Sequence, residues 1–462
     1  MTPPSPAIKY PILEPVLAQL HFLPANVASD LLETYFSDLN PYVLAHCLRK
    51  RNCLARTPGT QRRTTPALLF AILCVAAHTC NHPYLTNTPV SRARLVQRLF
   101  ELCLISLRPL QHDEICGGGL DDVICYIQIS VMIAASEFKG VSLRWFHSGI
   151  SLARELRFNC ETVDNSISQD EREERRRSWW LLYAMDRHLA LCYNRTMAIT
   201  DVETAGLYQP CDEFHWNSNE DLPVPPSDHP HGPYFLVRGS DIFGFFLPLM
   251  SILGQVVILH EIYQSITLNF GDLGHLKVQI VQKLESYRIS LENWRYDGTF
   301  RMYALQIWHA IYILISGKWD VIEMIKDTDG WISSEEFVTA TAQAVSAAHA
   351  VNHILQIDPD LTLMPWFFGI YLLQGSFLIL LIVDKLGPSA SPAVLEACEI
   401  IIRAHESCVV TLDTQYQRNF RKVMRTALHE ATTEQVEFEA KSGKLEVLKL
   451  YRWCGDGRGL VV

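Results

Sequence analysis

The stretch from Glu171 to Arg195 reads EREERRRSWWLLYAMDRHLALCYNR and decides the fold class of this chain. Its first seven residues are all charged, as is typical of a solvated helix, and the residues from 178 onward are apolar on every side of a helix. The apolar part is interrupted by Asp186, Arg187 and His188. Because an unpaired buried charge is costly, we expect the aspartate and the arginine to have partners among neighbouring groups.

The charged half of this stretch has its own helix start signal. Ser168 and Glu171 have the spacing of a capping box, in which the serine hydroxyl and the glutamate carboxylate accept hydrogen bonds from free backbone N–H groups. Glu171 and Glu173 are each followed, four residues on, by an arginine, which is the favourable order for an ion pair on a helix. We therefore predict that the basic run 175–177 is a solvated helix face, with a nuclear-import or phosphate-binding patch as the alternative.

Helical periodicity also dominates the rest of the chain, and strand signals are scarce. Thr65 and Pro66 have the pattern of a helix cap followed by proline at the first helical position, and an apolar run to Ala77 comes next. Similar amphipathic runs follow one another with short links. The sequence therefore predicts an all-α fold, a multi-helix array followed by a helical C-terminal half.

A polar stretch with six prolines, residues 208–241, is the clearest linker in the chain. It separates a predicted core domain, 26–207, from a helical C-terminal regulatory region, 242–462. Residues 1–25 form a proline-containing lead segment. We find no repeat of fixed period, so the pattern does not favour a helical repeat array.

The composition restricts the partners and the compartment. The formal net charge is −10, and an acidic chain binds DNA phosphates poorly. The 13 cysteines include no C-x-x-C pair and lie largely in apolar runs, which is typical of buried thiols in a reducing compartment. The first residues lack the pattern of a signal peptide. We therefore expect a nuclear or cytosolic protein with DNA contact only through a local patch or another segment.

One apolar segment, residues 366–383, approaches the length of a membrane span. Gln374, Gly375 and Ser376 interrupt it, and we interpret it as a fully buried core helix. No membrane partner is expected.

No catalytic or metal-binding set is found in the sequence. Residues 327–336 mimic a calcium loop, but the first ligand position would be Ile325, which offers no oxygen, so we predict a turn and then a helix capped at Ser333. His188 has no second ligand three or four residues away and is interpreted as a buried core histidine. We therefore expect neither a cofactor nor a metal ion in this chain.

An alanine-rich helix is predicted for residues 339–357. Small side chains let a second helix approach closely. We predict that Ala344 and Ala347 lie in such a contact, and that this contact is a regulatory seam in which a larger side chain would shift the balance between two states.

The signature stretch resembles that of the fungal-specific transcription factor domain family, in the branch of the xylanolytic activators and their arabinanolytic relatives. Further segments resemble the same branch, in the same order along nearly the whole chain. Examples are Tyr10–Pro15, Ser136–Lys139, Phe243–Met250, Phe368–Phe377 and Leu450–Trp453. The family's six-cysteine zinc cluster has no counterpart before Tyr10, so zinc and DNA binding are expected only through a cluster outside this chain.

The resemblance implies a nuclear regulatory module of an activator for genes of (hemi)cellulose degradation and pentose use, not an enzyme. Its partners would be the transcription machinery, a second copy or a related activator, and a sugar-derived inducer. A stand-alone helical protein that dimerises with full-length activators is the alternative, and a sugar-responsive enzyme is a third hypothesis that the missing catalytic set opposes. The family-motif residues expected to carry regulation are Trp179, Trp180, Asp186, Arg187, His188, Tyr193 and Arg195.

Overall fold

A computed structural model of the chain describes most of its residues. They are 8–37, 43–80, 82–86, 92–107, 118–134, 139–162, 164–239, 241–264, 273–294, 299–365, 367–411, 415–432, 446–449 and 451. Most of the Ser136–Lys139 and Leu450–Trp453 motifs lies outside the described residues.

The described residues form helices, joined by turns and one isolated bridge between Tyr208 and His231. The predicted all-α class is therefore confirmed. Packing groups the chain into two compact units, the first comprising residues 1–182 and 204–232 and the second residues 183–203 and 233–462. The linker and domain boundaries inferred from the sequence remain predictions.

The first unit begins with a 3₁₀ helix, Pro11–Gln19, and has a second at Val43–Cys47. Its α-helices are α1 (Ala25–Tyr35), α2 (Lys50–Cys53), α3 (Pro66–Thr79), α4 (Pro83–Thr86), α5 (Arg92–Ser106), α6 (Leu120–Ala134), α7 (Lys139–Glu155), the first part of α8 (Gln169–Tyr193) and α10 (Glu213–Asn217). The short α9 (Asp201–Thr204) lies where the chain passes from one unit to the other.

Helix α3 is the centre of the first unit. The Thr65 hydroxyl accepts a hydrogen bond from the backbone N–H of Leu68, and Pro66 occupies the first turn, as the sequence predicts. Every residue from Ala67 to Ala77 is buried, because α1, α5 and α6 all pack against this helix. A helix that is apolar on all sides can form only in such a setting.

The second unit contains the end of α8 and the remaining helices. They are α11 (Ile242–Gln264), α12 (Gly274–Asn293), α13 (Thr299–Ser316), α14 (Val321–Lys326), α15 (Glu335–Ile357), α16 (Gly369–Leu386), α17 (Pro392–Thr411) and α18 (Gln415–Thr432), with short 3₁₀ turns at Trp331–Ser333 and Gly387–Ser389. Helix α16 contacts α13, α15, α17 and α18 and is buried over most of its length.

Two helices in the described part of the chain, α11 and α16, are long and apolar enough to cross a membrane. Most of each lies buried against other helices of the second unit, as in the core of a globular domain, so their length and composition are weak evidence for a span. The interpretation of residues 366–383 as a core helix agrees with this packing. From the sequence, only the second of these two helices is predicted to approach the length of a membrane span.

Candidate functional site

Asp186 lies near the end of α8 and is fully buried. One carboxylate oxygen accepts hydrogen bonds from the backbone N–H groups of Ala198 and Ile199, each at 2.8 Å. The other lies 3.4 Å from the guanidinium of Arg195. The aspartate therefore fastens the turn that follows the helix back onto the helix itself.

Arg187 is also buried and is paired within the same segment. Its Nη2 donates to Asp201 Oδ1 at 2.8 Å, and its guanidinium lies 3.3 Å from the centre of the Tyr183 ring. The Tyr183 hydroxyl donates to the same Asp201 oxygen at 2.8 Å. The prediction that the aspartate and the arginine of this helix are paired is confirmed, and Asp201, which the sequence analysis missed, is the shared acceptor.

Helix α11 comes very close to this arginine. A Cβ atom built on Gly254 would lie 3.1 Å from Arg187 Cγ and 3.2 Å from Nε. A side chain at position 254 would therefore force Arg187 or Met197 to shift by a few tenths of an ångström. A glycine in the middle of a helix costs about 0.5–1 kcal/mol relative to alanine, and the close approach explains why the cost is tolerated here.

His188 is a buried core histidine, as predicted. Its Nδ1 lies 3.2 Å from the Tyr371 hydroxyl on α16, and its Nε2 lies 3.4 Å from Cys192 Sγ. Burial lowers the pKa of His188 to about 3, so the ring is neutral at physiological pH. Among the described residues no group of three His, Cys, Asp or Glu side chains is arranged to hold a metal ion.

Trp179 and Trp180 lie earlier on α8, in the first unit, and both are fully buried. The indole N–H of Trp180 donates to the Tyr208 carbonyl at 2.6 Å, and that of Trp179 donates to the Thr204 hydroxyl at 3.4 Å. Both rings thus anchor the chain that returns to the first unit after residue 203. A regulatory role for either tryptophan remains a prediction.

Tyr193 and Arg195 close the signature stretch and are half-buried. Burial raises the pKa of the Tyr193 phenol. The structure therefore brings Asp186, Arg187 and Arg195 into one charged cluster with Asp201, whereas the tryptophans belong to the other unit. The geometry is that of a structural clasp, which holds the turn after α8 against the helix.

The prediction that the basic run 175–177 is a solvated face is wrong. Arg176 and Arg177 are buried, and Arg176 pairs with Glu161 at 2.8 Å and with Glu173. Arg175 alone behaves as expected, pairing with Glu171 at 2.7 Å near the surface. The local helix pattern could not show this, because the chain that covers the run comes from distant positions.

Arg177 reaches across the first unit. Its Nε donates to Glu173 at 3.0 Å, and its Nη2 donates to the Cys211 carbonyl at 2.7 Å. Burial alone would raise the pKa of the Glu173 carboxyl, but the guanidinium groups of Arg176 and Arg177 hold it below its ordinary value. This carboxylate also accepts from the Cys211 backbone N–H at 2.8 Å, so it stays ionised inside the unit.

Residues 211–224, which we name the acidic strap, are held by a second arginine. Arg49 is fully buried and donates to the carbonyls of His215, Ser218 and Glu220 at 3.1, 3.1 and 2.7 Å. Its guanidinium and that of Arg177 lie 5.1 and 4.4 Å from the ring of Trp216, which is itself buried. The predicted linker therefore contains an ordered segment, and the apolar residues among its prolines, such as Trp216, are the sequence signal for it.

A polar cavity of about 500 Å³ lies in the first unit, where the N-termini of α3, α6 and α8 come together. Its carboxylates are partnered: Arg62 lies 2.6 Å from Asp121 and 2.9 Å from Glu174, and Asn52 donates to Asp170 at 2.8 Å. Burial raises the pKa of Glu174, against the effect of Arg62. At its N-terminus, α8 has the predicted serine cap, in which the Ser168 hydroxyl accepts from the backbone N–H three residues later at 3.2 Å.

In the second unit, the predicted alanine-rich helix is α15. Its buried face includes Ala344 and Ala347. A Cβ atom built on Gly375 of α16 would lie 3.7 Å from Ala347 Cβ, 3.7 Å from Ile313 Cδ1 of α13 and 4.0 Å from Ala344 Cα. The two alanines therefore lie at a close junction of α13, α15 and α16, and their regulatory role remains a prediction.

The calcium-loop mimic at 327–336 is a turn. Asp327 has a left-handed backbone, and its carboxylate accepts from the Ile332 N–H at 3.1 Å. The next helix is capped by Ser334, whose hydroxyl accepts from the Phe337 N–H at 3.2 Å. The cap is thus one residue later than the predicted Ser333, because Trp331–Ser333 forms a 3₁₀ turn of its own.

The family model described as "Fungal specific transcription factor domain" matches residues 32–296. The chain belongs to this family. The matched region includes the whole signature stretch, the acidic strap and α12. No solved structure matches the chain.

Three curated relatives are all named xylanolytic transcriptional activators. The relative from Aspergillus clavatus is 36% identical over 99% of this chain and 60% of its own length. Those from Emericella nidulans and Aspergillus niger are 37% and 36% identical, over 99% and 100% of this chain and 64% and 62% of their own lengths. The chain thus spans about three fifths of these relatives. The family and the relatives named here are transcription factors, not enzymes.

Proposed function

We propose that this chain is the regulatory region of a fungal transcriptional activator that controls genes for (hemi)cellulose degradation and pentose use. The observation that carries the proposal is the 36–37% identity to named xylanolytic activators over at least 99% of the chain. The proposal puts the protein in the nucleus with the transcription machinery as its partner. It assigns contact with DNA to a zinc cluster outside this chain.

The mechanism we propose is conformational. Ala344 and Ala347 are buried where α15 packs against α13 and α16, and we propose that an added methyl group at either position overpacks this junction. Overpacking of this kind costs about 1–3 kcal/mol, which is comparable to the free-energy difference between two regulatory states. A signal that favours one packing of this junction would then switch the output of the whole region.

The proposed signal is a sugar-derived inducer. The 500 Å³ cavity of the first unit supports a hydroxyl-rich ligand, because it presents both carboxylate acceptors and arginine donors. A sugar hydroxyl can donate to one and accept from the other.

The experiment fuses the chain to a heterologous DNA-binding domain and measures reporter output in a fungal host with and without a pentose. We expect output that rises with the pentose, against a control of the DNA-binding domain alone. A fusion that matches that control in both media would overturn the proposal. A fusion that is silent by itself but changes the output of a co-expressed full-length relative would support the stand-alone interaction protein instead.

A further inference from the structure

The acidic strap lies in a long stretch of the chain that has no positively charged residue. No lysine or arginine occurs from Thr196 to Val237, whereas seven acidic residues do. Seven acidic residues and no lysine or arginine give this block a formal charge of −7, in a chain whose formal net charge is −10. A surface of this composition repels nucleic acid and anionic lipid surfaces and attracts basic protein surfaces.

The acidic strap also exposes large apolar side chains. Phe214 is 81% exposed and Val224 is 71% exposed, and both are among the most exposed large hydrophobic residues in the described part of the chain. Two acidic residues of the strap are exposed as well: Glu220, and Asp221, which is 98% exposed although it pairs with Arg51 at 2.7 Å. Because so much of the Phe214 side chain is exposed, the ring buries little apolar area in its own unit.

The strap presents Phe214 from an ordered backbone. Trp216, two residues later on the same short helix, is buried against Arg49 and Arg177. The two aromatic rings therefore point in different directions, one into the unit and one into solvent. Because the arginines fix the backbone in advance, little conformational entropy is lost when the exposed ring packs on a partner.

We propose that the acidic strap is a docking surface for a protein partner with an apolar stripe flanked by lysine or arginine, and that Phe214 is the side chain that packs on the stripe. Charge complementarity selects this partner, and a buried aromatic anchor supplies most of the binding energy in such interfaces. The inference rests on the proposed activator function in taking the partner to be a component of the transcription machinery.

The first test uses purified full-length chain and a synthetic probe. The probe is a fluorescent helical peptide with a leucine stripe flanked by lysines, and a peptide of equal charge without leucines is its control. We expect Phe214→Ala to weaken binding of the leucine–lysine peptide at least tenfold, and Glu220→Lys to weaken it severalfold. Ile105→Ala, which removes another exposed side chain of the same unit, should leave binding unchanged. Equal affinities of all variants, or of both peptides, would overturn the proposal.

The second test places the same variants in the reporter fusion. We expect Phe214→Ala to reduce output at least fivefold while Ile105→Ala does not, with equal protein abundance and equal melting temperatures. If the parent fusion is active and Phe214→Ala has the same reporter output, the docking surface is overturned and the proposed function stays intact. A silent parent fusion would contradict the proposed function, and the peptide measurement would still decide the inference. Self-association of the chain that Phe214→Ala abolishes would assign the strap to a second copy and overturn the proposal.

Discussion

Asp186 acts as a cap for a backbone turn rather than as a charge with a chemical role. Its two oxygens receive two backbone N–H groups and one guanidinium. Helix-pattern reasoning could predict that this residue is paired, because burial of a lone carboxylate is too costly. The identity of the partners depends on a turn twelve residues later, which no local spacing reveals.

At this scale we first predict that Asp186→Ala lowers the free energy of unfolding by about 3–5 kcal/mol, since it leaves two buried N–H groups and a guanidinium without their acceptor. Urea unfolding monitored by circular dichroism measures the change. Glu399→Ala, at an exposed position of α17, is the matched control and should change stability by less than about 0.5 kcal/mol. An Asp186→Ala protein as stable as the control would show that the clasp is dispensable.

The second residue-scale prediction concerns acid. Burial lowers the pKa of His188 to about 3, whereas the unfolded chain has the ordinary value of 6.5. Between these values only the unfolded state binds the proton, so stability is complete above pH 6.5 and falls as the pH drops, by up to about 1.4 kcal/mol per pH unit. His188→Gln should flatten this slope by as much as one proton, and His353→Gln at an exposed site should not. Identical slopes in all three proteins would contradict the burial of the ring.

The helices of this chain were predictable where their own sequence determines both the helix and its burial. Helix α3 begins with a cap and a proline, α16 is apolar on nearly every side, and α15 is rich in alanine. Each of these sequence patterns predicts a helix and also indicates that the helix is buried. The buried arginines of α8 were not predictable, because the acidic strap that covers them arrives from a stretch whose prolines indicate a linker. The burial of these arginines depends on partners that are distant in the sequence and not on helix propensity.

The first element-scale prediction tests the strap. Arg49→Met removes three hydrogen bonds to strap carbonyls while keeping the bulk of the side chain. We expect residues 211–224 to be cleaved by a protease several times faster than in the parent, because segments with fewer fixed backbone groups open more often. Mass spectrometry of the products locates the cut. Arg63→Met, at an exposed position, serves as the control, and equal cleavage rates would show that the strap is held without Arg49.

The second element-scale prediction concerns the junction of α13, α15 and α16. Ala344→Val and Ala347→Val should change the basal or the induced output of the reporter fusion while protein abundance holds steady, because about 1–3 kcal/mol of overpacking shifts a two-state balance without unfolding the domain. Ala342→Val, on a less buried side of the same helix, is the comparison. Valine variants that match the parent in both media, or that only lose abundance, would make this junction ordinary core.

On the scale of the whole molecule, net charge is the property that governs encounters with DNA. With a formal charge of −10, the purified chain should show no sequence-selective binding in a gel-shift assay at physiological salt. A full-length xylanolytic transcriptional activator is the positive control. A selective shift with this chain alone, persisting as salt is raised, would reveal a reader of DNA bases within these residues.

Packing and homology divide this polypeptide at different places. The family match ends at residue 296, inside the second unit. That unit includes residues 183–203 as well as all residues after 232. Anyone cloning half of the gene at residue 207 or 241 would therefore express a C-terminal piece that lacks the clasp around Asp186. To express the two units separately, one protein would have residue 203 joined by a short peptide to residue 233. The other protein would have residue 182 joined to residue 204 in the same way.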